Sequence, residues 1–439
     1  MHKCSKCGKE FEGQFCPECG EKWVDQNACP KCGAVMDEGV AFCTVCGADL
    51  KGKKENGEAV VADGNVEESK TKKILSLVGV ICMLSAALFG LIFTFCAGVT
   101  FTQDYGLGIT EKDTHMIYYY FGDAFKNLEE LEGINKIAVL GPRVLGALIS
   151  VLGIAGVLAF GTVTVVRACK KFIKKQNLNV VGPAVGTFMS FAAMATLLLN
   201  FNVVSTKSFS VGFSAPTLAG LIMGGIALGA GAVLLLVANF NALKGAGKMV
   251  SFIMMAVACV LLIVILGLLG APAVHLSSDN FRMDSSYGLF AGMESMVGGV
   301  TEDSIVGIFV LSTLGTLTAI TIAVLAAVAI GKNLTAIANG KKRTNLGYGI
   351  SILILVITFL MYAFLTKVVI VDAFLRDIMG VSDEHMDEAK DMFSSNFVAP
   401  IVMIVMSVIA LAVVIVGKVF IKKYNLEDKK KGALPVNQQ

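Results

Sequence analysis

The chain has 439 residues, 55% of them hydrophobic and only 16% charged, with a formal net charge of +3. Soluble domains run nearer ~25% charged, and a mean hydropathy of +0.72 excludes an ordinary soluble globule of this length. The small net charge hides a segregation: residues 1–73 are polar, and the rest of the chain alternates long apolar runs with short charged loops.

Taken from the start, eight of the twelve cysteines stand in four C-x-x-C pairs before residue 47. The first unit is Cys4, Cys7, Cys16 and Cys19; the second is Cys29, Cys32, Cys43 and Cys46. Each pair can wrap a tight turn around one metal, and two such turns close a four-thiolate site with no open position, the donor set of a structural zinc. Gly8, Gly20, Gly33 and Gly47 follow the second cysteine of each pair and let backbone N–H groups approach the sulfurs. Phe15 and Phe42 precede the third cysteine of their units and can cover the metal. A rubredoxin-like iron site and a redox dithiol use related spacings and remain the competing readings. CxxC pairs in this number point to metal in a reducing compartment rather than to disulfides.

Residues 1–50 resemble the double zinc ribbon family, small knuckle-built modules fused to many bacterial membrane and signalling proteins. The resemblance implies two ribbons, 1–26 and 27–50, each holding one structural Zn²⁺ through its four cysteines. A module of this size has too small a core to fold unaided, so the metal is expected to supply its folding energy. Five lysines face eight acids in this segment, and eight thiolates around two Zn²⁺ add about four more negative charges. Such a surface repels nucleic acid, so the expected partner is a protein. Trp23, the only tryptophan, lies between the units, where packing them together is its expected role.

Residues 51–73 mix Lys, Glu, Gly, Asp and Asn and read as a flexible charged linker, about 25 Å in r.m.s. reach. The first apolar run starts near Ile74 with no signal peptide before it, which places the N-terminal segment in the cytosol. Eight runs then meet the ~20-residue requirement of a bilayer: about 74–101, 137–166, 180–203, 215–240, 249–275, 304–331, 346–371 and 397–420. The junction of the third and fourth is blurred by Asn200, Asn202 and Lys207. Basic residues set orientation. Arg167, Lys170, Lys171, Lys174, Lys175, Lys244, Lys248, Lys332, Lys341, Lys342, Arg343 and the tail 424–439 fall on one side, with Lys70, Lys72 and Lys73. Both termini are therefore expected in the cytosol of a plasma or bacterial-type inner membrane. The opposite loops are acidic: 102–136 and 277–303 each have a net of −4, and 372–396 a net of −5. Ile117, Phe121, Ala124, Leu128 and Leu131, and again Met386, Ala389 and Phe393, recur at helical spacing and predict amphipathic helices at the outer interface. Tyr118, Tyr119 and Tyr120 read as an interfacial anchor.

The segment from Lys171, KFIKKQNL, matches that from Val419, VFIKKYNL. The match points to four parallel hairpin repeats, against the alternative that every cytosolic helix end independently gathers basic residues. Gly220, Gly224, Gly225, Gly229 and Gly231, with Gly146, Gly153 and Gly156, let helices approach closely. Packing within the chain is the favoured use, and a homo-oligomer seam the other. Cys82, Cys96, Cys169 and Cys259 read as small apolar fillers. Arg143 and Lys367 near span ends, and His275 at the outer end of span five, read as interface residues rather than relays. No Walker loop, HExxH or GxSxG is present, and the Asn333 sequon falls on the cytosolic side.

The expected fold is an all-α polytopic membrane domain, residues 74–423, with an N-terminal pair of zinc ribbons. The expected function is non-enzymatic: a regulatory or scaffold protein whose ribbons dock a cytosolic partner. A transporter or channel subunit comes second and an integral-membrane enzyme third.

Overall fold

The structure is a computed structural model. It describes residues 2–3, 10–11, 63–106, 108–122, 125–126, 133–174, 178–202, 204–238, 246–281, 283–288, 301–338 and 346–432. The chain divides into two compact units, Met1–Glu67 and Glu68–Gln439. In the first, β1 (His2–Lys3) pairs antiparallel with β2 (Glu10–Phe11), His2 opposite Phe11 and Lys3 opposite Glu10.

The second unit is mostly helical. Eight of its helices are long and apolar enough to cross a bilayer. They are α1 (Asp63–Thr94), α2 (Gly133–Phe172), α3 (Val181–Asn202), α4 (Ala215–Ala238), α5 (Ala246–Leu268), α6 (Glu302–Ala338), α7 (Leu346–Ala373) and, after the short α8 (Met386–Asp391), α9 (Val398–Gly432). Helix is forced on an apolar segment in lipid, because every N–H and C=O must find its partner inside the segment. These eight helices among the described residues make the chain an integral membrane protein, as its hydropathy predicts.

Several bounds differ from those read in the sequence. With 40 and 37 residues, α2 and α6 are longer than a bilayer needs. Arg167, Lys170, Lys171 and Lys332 therefore stand on helices rather than in loops. The segment 63–73, read as flexible linker, is helical and continues into span one, and α9 carries its helix into the tail as far as Gly432. Lys367 lies in the last two turns of α7, which ends at Ala373.

The bundle has an unequal centre. Residues of the α3 span are 89% buried, while no other span exceeds 44%. Close approach around it depends on glycine. A Cβ at Gly220 would meet Phe93 at 2.6 Å, one at Gly224 would collide with Phe188, and one at Gly231 would lie 3.0 Å from the Gly79 carbonyl oxygen. Gly146, Gly153 and Gly156 seat α2 against Tyr120, Met194 and Ser190. Packing within the chain thus accounts for six of the eight glycines singled out; Gly225 and Gly229 face open space. In the second half, α5, α6, α7 and α9 pack in a ring: α5 on α6, α6 on α7, α7 on α9 and α9 on α5.

The membrane domain is not all-α. One end of the bundle is closed by a seven-stranded antiparallel sheet in the order β4-β3-β6-β5-β8-β7-β9. Its strands are β3 (Gly98–Asp104), β4 (Thr110–Met116), β5 (Val204–Thr206), β6 (Phe209–Phe213), β7 (Val274–Ser278), β8 (Met283–Tyr287) and β9 (Ser394–Asn396). The physical reason is local. Where the chain leaves a helix, its main-chain groups need partners, and four adjacent connections supply them to one another. The runs read as 74–101 and 249–275 therefore end early, at Thr94 and Leu268, and their remainders enter β3 and β7. His275 is on β7, not at the end of span five.

Three connections each give a hairpin, β3–β4, β5–β6 and β7–β8. The first strand of each pairs with the second strand of the next: β3 with β6, β5 with β8, and β7 with β9. In the fourth connection a π-helical turn (Phe374–Ile378), a 3-10 turn and α8 precede β9.

Helical spacing in these connections is only partly a guide. Met386 and Ala389 are buried on α8 and Phe393 just beyond it. Ile117 and Phe121 instead belong to a 3-10 turn, Ile117–Phe121, while Ala124, Leu128 and Leu131 lie outside the described residues. The three tyrosines of that turn diverge. Tyr118 is exposed, Tyr119 stacks on His115 with centroids 4.0 Å apart, and buried Tyr120 accepts a 2.6 Å hydrogen bond from Asn202 Nδ2.

Candidate functional site

The sheet end is anchored through buried hydroxyls. Thr217 Oγ1, in the first turn of α4, accepts from the Gly98 N–H at 2.8 Å and lies 3.0 Å from the Gly98 carbonyl oxygen and 2.8 Å from Ser214 Oγ. Ser214 and Thr217 are fully or almost fully buried, so these bonds are shielded from water. On the other flank, Asp377 accepts from the Thr301 N–H and hydroxyl, both at 3.0 Å, and so ties the end of span seven to the start of span six. Lys390 pairs with Asp372 at 2.7 Å and Arg376 with Asp383 at 2.9 Å. Phe281 stacks on Phe393 and meets Phe374 edge-on, joining the third connection to the fourth.

The histidines at this end are separately engaged. His115 Nε2 lies 3.0 Å from Asp113, and its ring also packs on Phe101. His275 Nδ1 lies 2.8 Å from Ser286 Oγ, and His385 Nδ1 lies 3.0 Å from Ser382 Oγ. Among the described residues, no three His, Cys, Asp or Glu side chains gather as a metal would require. Burial raises the Tyr287 phenol above its ordinary value, and its hydroxyl is buried without a partner. Tyr105, at the β3–β4 turn, is raised by its hydrogen bond to Glu111 and by that carboxylate's charge.

Inside the bundle most buried hydroxyls are satisfied by their own helices. Thr94, Ser150, Thr187, Thr196 and Ser407 each donate to the carbonyl four residues back, at 2.5–3.0 Å. Among the described residues the exceptions are Ser251, Thr313 and Thr366, whose hydroxyls are buried without a partner. Ser251, with Asn333 and Tyr348, lines part of a cavity of about 40 Å³ inside the α5–α6–α7–α9 ring. Asn333 is in hydrogen-bond contact with Cys259. Lys332 donates to the Tyr348 hydroxyl and lies 4.6 Å from that ring's centroid. None of these polar residues was singled out as a site from sequence. Asn333 and Lys332 were hidden by the expectation that span six ends at residue 331. Of the four cysteines read as fillers, Cys259 is buried and Cys82 half-buried, whereas Cys96 and Cys169 are exposed.

The eight cysteines Cys4, Cys7, Cys16, Cys19, Cys29, Cys32, Cys43 and Cys46 lie outside the described residues. Strands β1 and β2 flank the segment that holds the first pair, Cys4 and Cys7. The donor chemistry is eight thiols in four C-x-x-C pairs, which suits tetrahedral zinc.

Together these features define a polytopic helical membrane protein with a sheet over one end of its bundle and a cysteine-rich N-terminal segment. Residues 4–47 match the double zinc ribbon family, which makes that segment a double zinc ribbon and implies that it binds zinc. No curated protein and no solved structure matches the chain.

Proposed function

We propose that the protein is a non-enzymatic membrane scaffold whose ribbons recruit a cytosolic protein. The observation that carries this reading is the β5–β8 pairing, Val204 with Tyr287, Ser205 with Ser286 and Thr206 with Ser285. It stitches the α1–α4 half to the α5–α9 half across the sheet. A transporter that rocks its halves apart at this end would have to break that ladder. The hydroxyls bonded within their own helices favour the same reading, while the buried, unpartnered Ser251, Thr313, Thr366 and Asn200 Nδ2 are the groups a travelling solute would have to use.

On this reading two Zn²⁺ are held, one by Cys4, Cys7, Cys16 and Cys19, the other by Cys29, Cys32, Cys43 and Cys46. Both sites are closed, so the metal shapes a docking surface and performs no catalysis. The basic helix ends support an arrangement with both termini in the cytosol and the acidic sheet end outside. The acidic ribbons favour a protein over nucleic acid. The four connections are parallel repeats: each hairpin enters the sheet in the same sense, and β9 takes the place a second strand would occupy in the fourth.

The test is quantitative cross-linking of the full-length protein in its own membrane, before and after chelation. Cross-links from 1–50 to a defined protein partner that vanish with zinc support the scaffold. An unchanged pattern contradicts it. The second reading, a transporter or channel subunit, draws on the Ser251–Asn333 cavity. Solute flux in liposomes that a Ser251→Ala substitution alters would establish that reading in place of the first.

A further inference from the structure

Helix α3 reaches the bundle surface along one line only. Of its residues 181–201, all are buried except Gly182, Gly186 and Ser190, spaced four apart on one face. These form the floor of a groove whose walls are Leu152 and Phe160 of α2 and Val324 and Val328 of α6, all four exposed. The groove encloses about 450 Å³. Its α3 lining runs from Gly182 to Leu197, about 22 Å at the helical rise, more than the ~15 Å depth of one leaflet's hydrocarbon. Ser190 donates to the Gly186 carbonyl at 2.9 Å, so the floor presents an apolar surface.

The end away from the sheet differs. There Lys332 and Thr335 of α6 line the groove. Lys332 donates to Tyr348, but an ammonium has three donors, which leaves two for a guest. Arg167, Lys170 and Lys171 stand at the same end of α2, and no acid occurs anywhere in 137–182 or 304–338. The groove thus joins an apolar trough, as long as a lipid tail, to an end lined by Lys332, where the neighbouring charges on α2 and α6 are all basic.

We infer that this groove holds an anionic phospholipid of the leaflet opposite the sheet. One acyl chain lies over Gly182, Gly186 and Ser190, and the phosphate is held at Lys332. Glycine is needed on the floor because even a Cβ at Gly186 would come within 2.9 Å of the Phe160 ring.

The experiment is native mass spectrometry of the full-length protein released from nanodiscs of mixed phosphatidylglycerol and phosphatidylcholine. Wild type should retain phosphatidylglycerol at least five-fold over phosphatidylcholine. Gly186→Leu should abolish retention of both. Lys332→Gln should keep a bound lipid but bring the preference to about one. Should Gly186→Leu fail to fold, Val324→Trp on the lipid-facing wall serves the same purpose. Equal retention of the two lipids by wild type, or retention unchanged by the groove-filling variants, overturns the inference. So does a shift from dimer to monomer in Gly186→Leu, which would make the occupant a second copy of the chain.

Discussion

The two units of the chain reach order by different routes. The ribbon segment carries eight thiols in about fifty residues, too short a stretch for a large core, so bound metal is expected to supply its folding energy. The membrane domain has no metal cluster among its described residues. It rests on close helix packing around α3 and on a sheet that satisfies the backbone where helices end. The lesson is that the same chain should respond to two unrelated perturbations, each damaging one unit and sparing the other.

Removing metal is the harsher test, because structural zinc contributes on the order of 10–16 kcal/mol of apparent folding energy in small modules. The full-length protein should carry two zinc ions by elemental analysis, and Cys29→Ser should reduce this to one. A chelator should open residues 1–50 to protease while the helical circular dichroism of the membrane domain stays constant. A concerted loss of both signals would mean the units are not independent.

The converse perturbation acts on packing. Gly224→Leu must displace Phe188 of the buried α3, and overpacking of this kind costs about 1–3 kcal/mol. A Cβ at Gly225 meets nothing within 4 Å, so Gly225→Leu should be close to neutral. Thermal denaturation in detergent should separate these neighbours, with zinc content equal in both. Equal melting temperatures would break the account of α3 as the packed centre.

The contrast between units also explains what could be read in the sequence. Cysteine spacing and apolar length are local signals, so the ribbons and all eight spans were legible, the spans to within a few residues at most ends. The sheet was not, because its seven strands are short and depend on pairing across connections far apart in the chain. Local clues were nevertheless present. Phe209, Val211 and Phe213 alternate with Ser210 and Gly212, the period of a strand. Asp104 is followed by Gly106 and Gly108, which adopt φ of 80° and 79° in the β3–β4 turn, a conformation glycine favours. Apolar content at Val99 and Phe101 was absorbed into span one because hydropathy alone does not distinguish a strand from the end of a helix. Lys332 and the groove beside it were hidden for a related reason: a basic residue marks a loop only until the helix is seen to continue past it.

A smaller effect probes the sheet itself. Burial holds the Tyr287 phenol above its ordinary value of 10. The folded state then keeps a proton that the unfolded chain releases, so this contribution is complete below about pH 10 and is lost as pH rises beyond it. Tyr287→Phe removes a buried hydroxyl that has no partner. It should leave stability at neutral pH unchanged or raised by about 1 kcal/mol, and should weaken the alkaline loss. A clear destabilisation at neutral pH would show that the hydroxyl has a partner after all.

The scaffold reading stands on the sheet joining the two halves of the bundle. Spin labels introduced as unnatural amino acids at Ser208, beside β6, and Asn280, in the β7–β8 turn, report the distance between those halves directly. The prediction is one narrow distance distribution in nanodiscs, the same with and without zinc. Two populations, or a shift of the whole distribution on chelation, would contradict it and favour a domain whose halves move.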